Sequence, residues 1–517
     1  MTLTQEIALA DRGARRAGPR AWAALVVLML PVLLVSVDNT VLGFALPEIA
    51  RDLRPTSAQQ LWIIDAYPLV LAGLLVTMGA LGDRFGRRRM LMIGATGFAA
   101  ISVVAAFAPS AGMLIGARAA MGVFGAMLMP ATLALLRSIF TDRGQRRLAV
   151  AVWAAAFSAG AALGPVAGGL LLEHFAWGSV FLLAVPMLLP LLVAAPLLVP
   201  ESRNPAAGRT DPVSIVLSLA AMLAVVWAIK DLAVHGVGAT ALAVMAVGIA
   251  FGAIFVRRQL RAPVPMLDMR LFANATFSGA LLVNFLSVIA LVGFLFFVTQ
   301  HLQLVAGMSP LDAGLALVPG LAAMVLAGLT VVPVSRRFPA VVVVPAGLAF
   351  SAAGYGIVAL GAQSGSPAVI VGAFVLLGIG IGAAETMSND LILSSAPPAK
   401  AGAASAVSET AYELGAVLGT AVLGGILTAL YRAGMQPPAD IPAYAADAAR
   451  ETLAGAMAAA ETLPDAAAQA LREAAGAAFD GGVAVTALIG AALVVVAGAI
   501  AATTLGTYRA GRADSPR

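Results

Sequence analysis

Six ionisable side chains sit inside otherwise apolar runs of this 517-residue chain: Asp38, Arg118, Glu385, Asp390, Glu409 and Glu413. A charge in hydrocarbon costs at least about 2.5–3.5 kcal/mol on insertion scales, so each needs a chemical reason. Glu409 and Glu413 are four residues apart and share one face of a helix. Two carboxylates at that spacing in a low dielectric resist being ionised together, so one is expected to hold a proton near neutral pH. A surface reading fails for them, because they lie well inside an apolar run. Asp38 and Arg118 lie at similar distances from the ends of their runs and pair if those runs face each other. Held between a guanidinium that favours the charged acid and burial that favours the neutral one, Asp38 can bind and release a proton; a static ion pair that orients two helices uses the same residues. Asp65, in Trp62-Ile-Ile-Asp65-Ala-Tyr67, has aromatic neighbours, which suits an organic cation. An interfacial aromatic belt with a solvated acid accounts for it equally. Glu385 and Asp390, beside Ser388 and Asn389, read either as a further cation or proton site or as a polar patch toward one end of the run.

Other chemistries are excluded. Cysteine is absent, and His174, His235 and His301 are scattered without metal-ligand spacing, so no metal site is expected. No Gly-x-x-x-x-Gly-Lys-Ser/Thr run exists to cradle a nucleotide, and no catalytic constellation is apparent, so neither an ATP-driven pump nor an enzyme is expected.

Lipid must position these residues. The chain is 61% hydrophobic and 11% charged, with a mean hydropathy of +0.96; soluble domains run near 25% charged. Apolar runs of about 20 residues predict an all-α polytopic membrane protein with fourteen spans. They lie near 21–44, 58–81, 90–108, 112–138, 148–172, 179–199, 212–234, 239–256, 276–300, 312–334, 340–361, 367–392, 404–431 and 483–507. The first run is too long for a signal-peptide core and is read as a retained span. With the N-terminus inside, most of the 31 basic residues fall in cytoplasmic segments, including Arg12, Arg15, Arg16, Arg209, Lys400, Arg509, Arg512 and Arg517; Lys230 falls near an outer end. The net charge of +5 is therefore a topology signal rather than a nucleic-acid one. Pro205, Gly208, Pro263 and Pro265 mark boundaries. They divide the chain into a six-helix bundle (1–205), a linking pair (206–262) and a second six-helix bundle (263–517). The second bundle carries an outer insert, 437–481, predicted as a helical hairpin of Tyr444–Ala459 and Asp465–Phe479. Its acids read as a solvated spacer or as a negative cap that draws cations.

Three motifs carry a resemblance. After the second span comes Gly79-Ala-Leu-Gly82-Asp83-Arg84-Phe85-Gly86-Arg87-Arg88-Arg89. The fourth span holds Arg118-x-x-x-Gly122-x-x-x-Ala126 with Pro130 beyond, and the fifth Gly160-x-x-x-Gly164-Pro165-x-x-Gly168-Gly169. The glycines also allow close helix packing in any membrane protein. Together with Val37-Asp38-Asn39-Thr40 in the first span, they resemble the fourteen-span drug:proton antiporters of the major facilitator superfamily, especially exporters of quaternary ammonium compounds and dyes, over essentially the whole chain. The resemblance implies multidrug efflux by alternating access in a bacterial plasma membrane, with both termini cytoplasmic. Its partners would be organic cations and protons. The chain is read as a monomer with no cofactor but the coupling proton.

By the same resemblance Asp38 and Arg118 serve proton coupling, Asp83 and Arg84 or Arg87 brace an inner gate between the halves, and 160–169 is the antiporter motif. One of Glu409 and Glu413 is implied for substrate and the other for the proton; Glu409 is assigned the substrate and Glu413 the proton, and the reverse remains open. Some relatives carry an acid in the tenth span; here Leu321-Ala-Ala-Met-Val is uncharged, and Glu385 is the substitute. Met129, Phe157, Asn284, Phe285, Phe294 and Tyr412 are pocket candidates, or ordinary packing. A metabolite exporter or importer on the same fold is the alternative reading.

Overall fold

The computed structural model describes residues 17–203, 211–262, 265, 267, 269–361, 367–396 and 401–505. Among them all regular structure is helical. A chain in hydrocarbon has to satisfy its own N–H and C=O groups, and a helix does this within one segment. Arg12, Arg15, Arg16, Arg209, Lys400, Arg509, Arg512 and Arg517 lie outside the described residues, as do Pro205, Gly208 and Pro263 at the expected boundaries.

The helices are α1 (Pro19–Leu53), α2 (Ser57–Phe85), α3 (Arg87–Ala106), α4 (Ala111–Ile139), α5 (Arg143–His174), α6 (Ser179–Leu198), α7 (Pro212–His235) and α8 (Ala239–Arg261). There follow α9 (Ala275–Gln300, continued as a π turn to Val305), α10 (Pro310–Ser335), α11 (Ala340–Gly361) and α12 (Pro367–Ser395). Then come α13 (Ala401–Gly434, π-helical over Gly419–Gly424), α14 (Ala443–Glu451), α15 (Leu453–Ala460) and α16 (Asp465–Thr504). Their starts follow local chemistry. Thr56 and Gln59 form a reciprocal cap on α2, Ser110, Asn274 and Ser309 cap α4, α9 and α10, and proline opens α1, α7 and α10.

Thirteen of these helices are long and apolar enough to cross a membrane, and α5 makes a fourteenth, bent by 40° between Ala161 and Leu163. Pro165 supplies the cause, since it cannot donate to the carbonyl four residues back.

The first six helices pack together, as do α9–α13 with α16. The halves meet along two matching seams. α5 of the first half lies on α10 of the second, and α2 of the first lies on α13 of the second. Each seam joins the second helix of one half to the fifth of the other, as repeats related by a two-fold axis require. The linking pair lies to one side: α7 packs on α2 and α13, while α8 touches chiefly α7.

Three expectations change. α1 continues to Leu53, well past the predicted end at 44. The predicted insert hairpin is not two helices: Thr452, in an extended conformation, splits the first into α14 and α15, and its hydroxyl caps α15. The second runs straight into the last span as one 40-residue helix. Gly481 and Gly482 do not break it, because Phe479 and Gly482 pack against Tyr431 and Leu427 of α13. The loop between α2 and α3 shrinks to Gly86 alone, at φ +115°, a backbone that only glycine adopts without strain.

Candidate functional site

The turn of α1 that bears Asp38 is set by the glycine face of α5. A Cβ on Gly164 would collide with the Thr40 hydroxyl, and one on Gly160 would strike Ser36; the Ser36 hydroxyl donates to the Phe157 carbonyl at 2.5 Å. Gly168 packs on Val41. The other edge of the same helix crosses to the second half. There Gly169 approaches the backbone of Pro310 and Leu311, and Gly314 of α10 approaches the Pro165 carbonyl. One run of glycines therefore positions an acid and forms a seam.

Asp38 meets Arg118 at 2.6 Å, with side chains 7% and 2% exposed. The guanidinium also donates to the Ile63 carbonyl at 3.2 Å and covers the Tyr67 ring at 4.7 Å. The two residues meet although α1 overshoots: Asp38 lies fifteen residues before the end of its helix and Arg118 seven after the start of its own. Equal depth counted from helix ends does not hold; the last turn of α1 is held by Trp177, whose indole N–H donates to Asp52 at 2.7 Å.

Across the gap stands α13. Glu413 is buried, one of its oxygens lacks a partner, and the Asn39 side chain reaches its carboxylate from α1. Glu409, one turn away, is partly exposed inside the protein, as are Tyr412 and Glu385 of α12. Tyr412 meets Phe157 edge-on at 5.9 Å, and Phe157 stacks on Trp153. Glu385 also has an unpartnered oxygen. Among the described residues, none of Glu385, Glu409 and Glu413 has a cation within ion-pair distance. Asp38, Asn39, Arg118, Tyr67, Phe157, Tyr412, Glu409, Glu413 and Glu385 thus make one cluster between the halves, where two facing bundles are expected to enclose a central chamber.

Other candidates lie around or outside it. Asp390 is exposed at the end of α12 that faces the termini, beside Asn389, which accepts a hydrogen bond from Ser408. Asn284 is buried on α9 with its amide oxygen unpartnered, and the Phe285 carbonyl abuts Gly415 of α13. Met129 is buried in the core of the first half. Phe294 belongs to a packed group of rings with Phe297, Tyr355 and Phe374 rather than to the chamber.

Asp65 has a partner that the sequence reading placed elsewhere. Lys230 of α7, counted near an outer end, is buried, and its ammonium lies 2.8 Å from the Asp65 carboxylate. The aromatic faces expected for an organic cation hold the protein's own cations: Lys230 over Trp62 and Arg118 over Tyr67. A lysine inside an apolar run, next to Asp231, is the signal that could have found it.

At the end facing the termini, Arg87 grips Asp83 at 2.8 Å and donates to the Ser202 hydroxyl at 3.2 Å. The backbone N–H groups of Arg88 and Arg89 donate to Glu201, which caps α3 just beyond Gly86. Gly79 packs on Pro130 of α4, Gly82 beside Met90, and Arg84 lies exposed over Phe85. The described contacts of this motif all fall within the first half. At the opposite end the halves touch. Gln303 donates to the Phe44 carbonyl, Gly43 faces Thr299, and Glu451 of the insert accepts from Ser57 while pairing with Arg432. These contacts join the two halves on that side.

Two equivalent helical halves around a chamber of buried carboxylates define a multi-pass membrane transporter. The model of the Major Facilitator Superfamily matches residues 28–420, and the chain belongs to that superfamily, a family of transporters and not of enzymes. It is 57% identical over 485 residues to the multidrug efflux pump LfrA of Mycolicibacterium smegmatis, covering 94% of this chain and 96% of that one. It is 37% identical over 465 residues to the methyl viologen resistance protein SmvA of Salmonella typhimurium, covering 89% and 93%. Among solved structures, an inward-facing bacterial homologue of the human lysosomal transporter Spinster superposes with a TM-score of 0.63 at 18% identity, over 94% of this chain and 98% of that chain.

Proposed function

We propose that the protein is a proton-coupled multidrug antiporter of the bacterial plasma membrane. It would act as a monomer, with both termini cytoplasmic, and export lipophilic cations such as quaternary ammonium compounds and dyes. One observation carries this reading. The region between the halves holds three carboxylates with no cation within ion-pair distance among the described residues, beside Tyr412 and Phe157, and one of them meets Asn39, next to the Asp38–Arg118 pair. Carboxylates without a resident counter-ion in a desolvated chamber have two routes to neutrality: take a proton or take a cation. An exchange of one for the other is antiport. The names of LfrA and SmvA, an efflux pump and a resistance protein, support the drug class.

In this mechanism Glu409 holds the cation while Tyr412 and Phe157 offer ring faces. Protons arriving from outside neutralise Glu413 and Asp38 and weaken the hold on the cation, which leaves outward. Return to a state open to the cytoplasm releases the protons. The α5/α10 seam, where backbones touch through glycine, lets the halves rock without moving bulky side chains.

The test uses purified protein in liposomes. An imposed pH gradient should drive uptake or efflux of ethidium or tetraphenylphosphonium, and Asp38→Asn should abolish the gradient's effect. Equal transport after the pH gradient is removed and the voltage clamped at zero would overturn proton coupling. A biocide and dye panel in a sensitive host separates this reading from a metabolite carrier.

A further inference from the structure

Lys230 is buried on a helix that otherwise faces largely outward, and three groups of α2 meet its ammonium. The Asp65 carboxylate lies at 2.8 Å, the Leu61 carbonyl accepts at 2.9 Å, and the Trp62 ring centre lies at 4.1 Å. An anion, a neutral acceptor and a π face are what recognition of a primary ammonium requires. The two side chains are 2% and 1% exposed, so water plays little part in neutralising either. The pair lies at the α2/α13 seam, beside a small apolar cluster formed by Leu69 of α2, Val226 of α7, and Val417 and Ala421 of α13. There α13 is π-helical, and its Thr420 side chain reaches toward Asp65. Among the described residues, neither linking helix packs extensively on the α5/α10 seam.

We propose that Asp65, the Leu61 carbonyl and the Trp62 ring form a primary-ammonium site whose tethered occupant is Lys230, and that this occupancy fastens α7 to the seam between α2 and α13. Lys230 is then a positioning and specificity-determining residue. It fills the one aromatic–carboxylate site on α2 and confines organic cations to the chamber bounded by Glu409 and Glu413; this last consequence rests on the transport reading above. Removing the side chain leaves a buried carboxylate that needs a new counter-ion, so a small free ammonium of matching length should enter.

The experiment is chemical rescue of the full-length protein in detergent. Lys230→Ala removes three carbons and the amine, which n-propylammonium replaces. The variant should melt roughly 5 °C or more below the parent. Tens of millimolar n-propylammonium chloride should recover much of that loss, while 1-propanol does not. Neither the parent nor Asp65→Asn/Lys230→Ala should respond. No shift, or an equal shift in all three proteins, overturns the proposal. If Lys230→Ala cannot be isolated folded, it is prepared throughout with either additive: recovery with n-propylammonium alone supports the site, and recovery with neither or with both overturns it. The melting readout needs no transport. Failure of the parent to move dye would therefore sink the transport reading and leave the ammonium site to be decided on its own data.

Discussion

The carboxylates of the two halves are kept in opposite ways. In the first half each deeply buried acid comes with its cation: Asp38 with Arg118, and Asp65 with Lys230 lent by the linking helix. In the second half Glu385, Glu409 and Glu413 stand in the same chamber with no such partner among the described residues. A paired acid has a resident counter-charge, and the pair stiffens the helices that share it. An unpaired one must be neutralised by something that comes and goes. The first half thus keeps its acids in resident pairs, of which Asp38–Arg118 has to open for a proton to enter, while the second presents acids that stand ready for exchange.

The sharpest way to break this comparison is to strip a cation from the first half. Arg118→Met leaves Asp38 buried and alone, which should cost about 3–5 kcal/mol of stability. Asp38→Asn/Arg118→Met should regain most of it in a thermal unfolding assay while remaining inactive. If the single variant is as stable as the parent, the pair is not the brace described. Next, Glu413→Gln should leave the melting temperature within a few degrees, because no ion pair is lost, yet reduce proton-driven efflux at least about tenfold, equivalent to some 1.4 kcal/mol. Full retained efflux would move the proton site elsewhere. Glu409→Gln should raise the half-saturating concentration of tetraphenylphosphonium about tenfold with a smaller change in maximal rate; unchanged affinity and competition would assign the substrate acid to Glu413 or Glu385.

The smallest effect concerns a paired acid at the edge of the linking helices. Asp211 caps α7 through the N–H groups of Val213 and Ser214 and grips Arg258 of α8 at 2.6 Å. The hydrogen bond from Arg258 holds its carboxyl well below the usual carboxylate range. Its folded form therefore contributes stability that is present above pH 4 and fades as the pH falls through the acid range. Asp211→Ala should lose about 1 kcal/mol at neutral pH and flatten that part of the pH–stability curve. An identical acid limb in both proteins would dissociate Asp211 from it.

Much of the fold is legible in composition alone, since length and apolarity leave a membrane chain few options besides helices. The second-half acids are legible for the same reason: Glu409 and Glu413 advertise themselves by their cost. What sequence could not supply was depth and company. α1 runs beyond its apolar stretch because helix packing at that end and the insert support its last turns, so counting residues from a predicted end misplaces Asp38. Lys230 looked like a loop charge near a span end, because only tertiary packing brings α7 against Asp65. The insert divides differently because Phe479 and Gly482 pack against Tyr431 and Leu427 of α13, which carries the helix from the insert into the last span without a break. The single-residue link at Gly86 depends on Glu201, more than a hundred residues away in the chain.

The unbroken last helix has a practical consequence. α16 is a rod of about 60 Å at 1.5 Å per residue, rooted in the second half and emerging beside α15. A lean of roughly 5° at its base swings the far tip by about 5 Å. The tip thus works as a pointer that magnifies the posture of half the molecule. A fluorophore there, read against another on the exposed Arg54 turn after α1, would turn each cycle into a visible stroke.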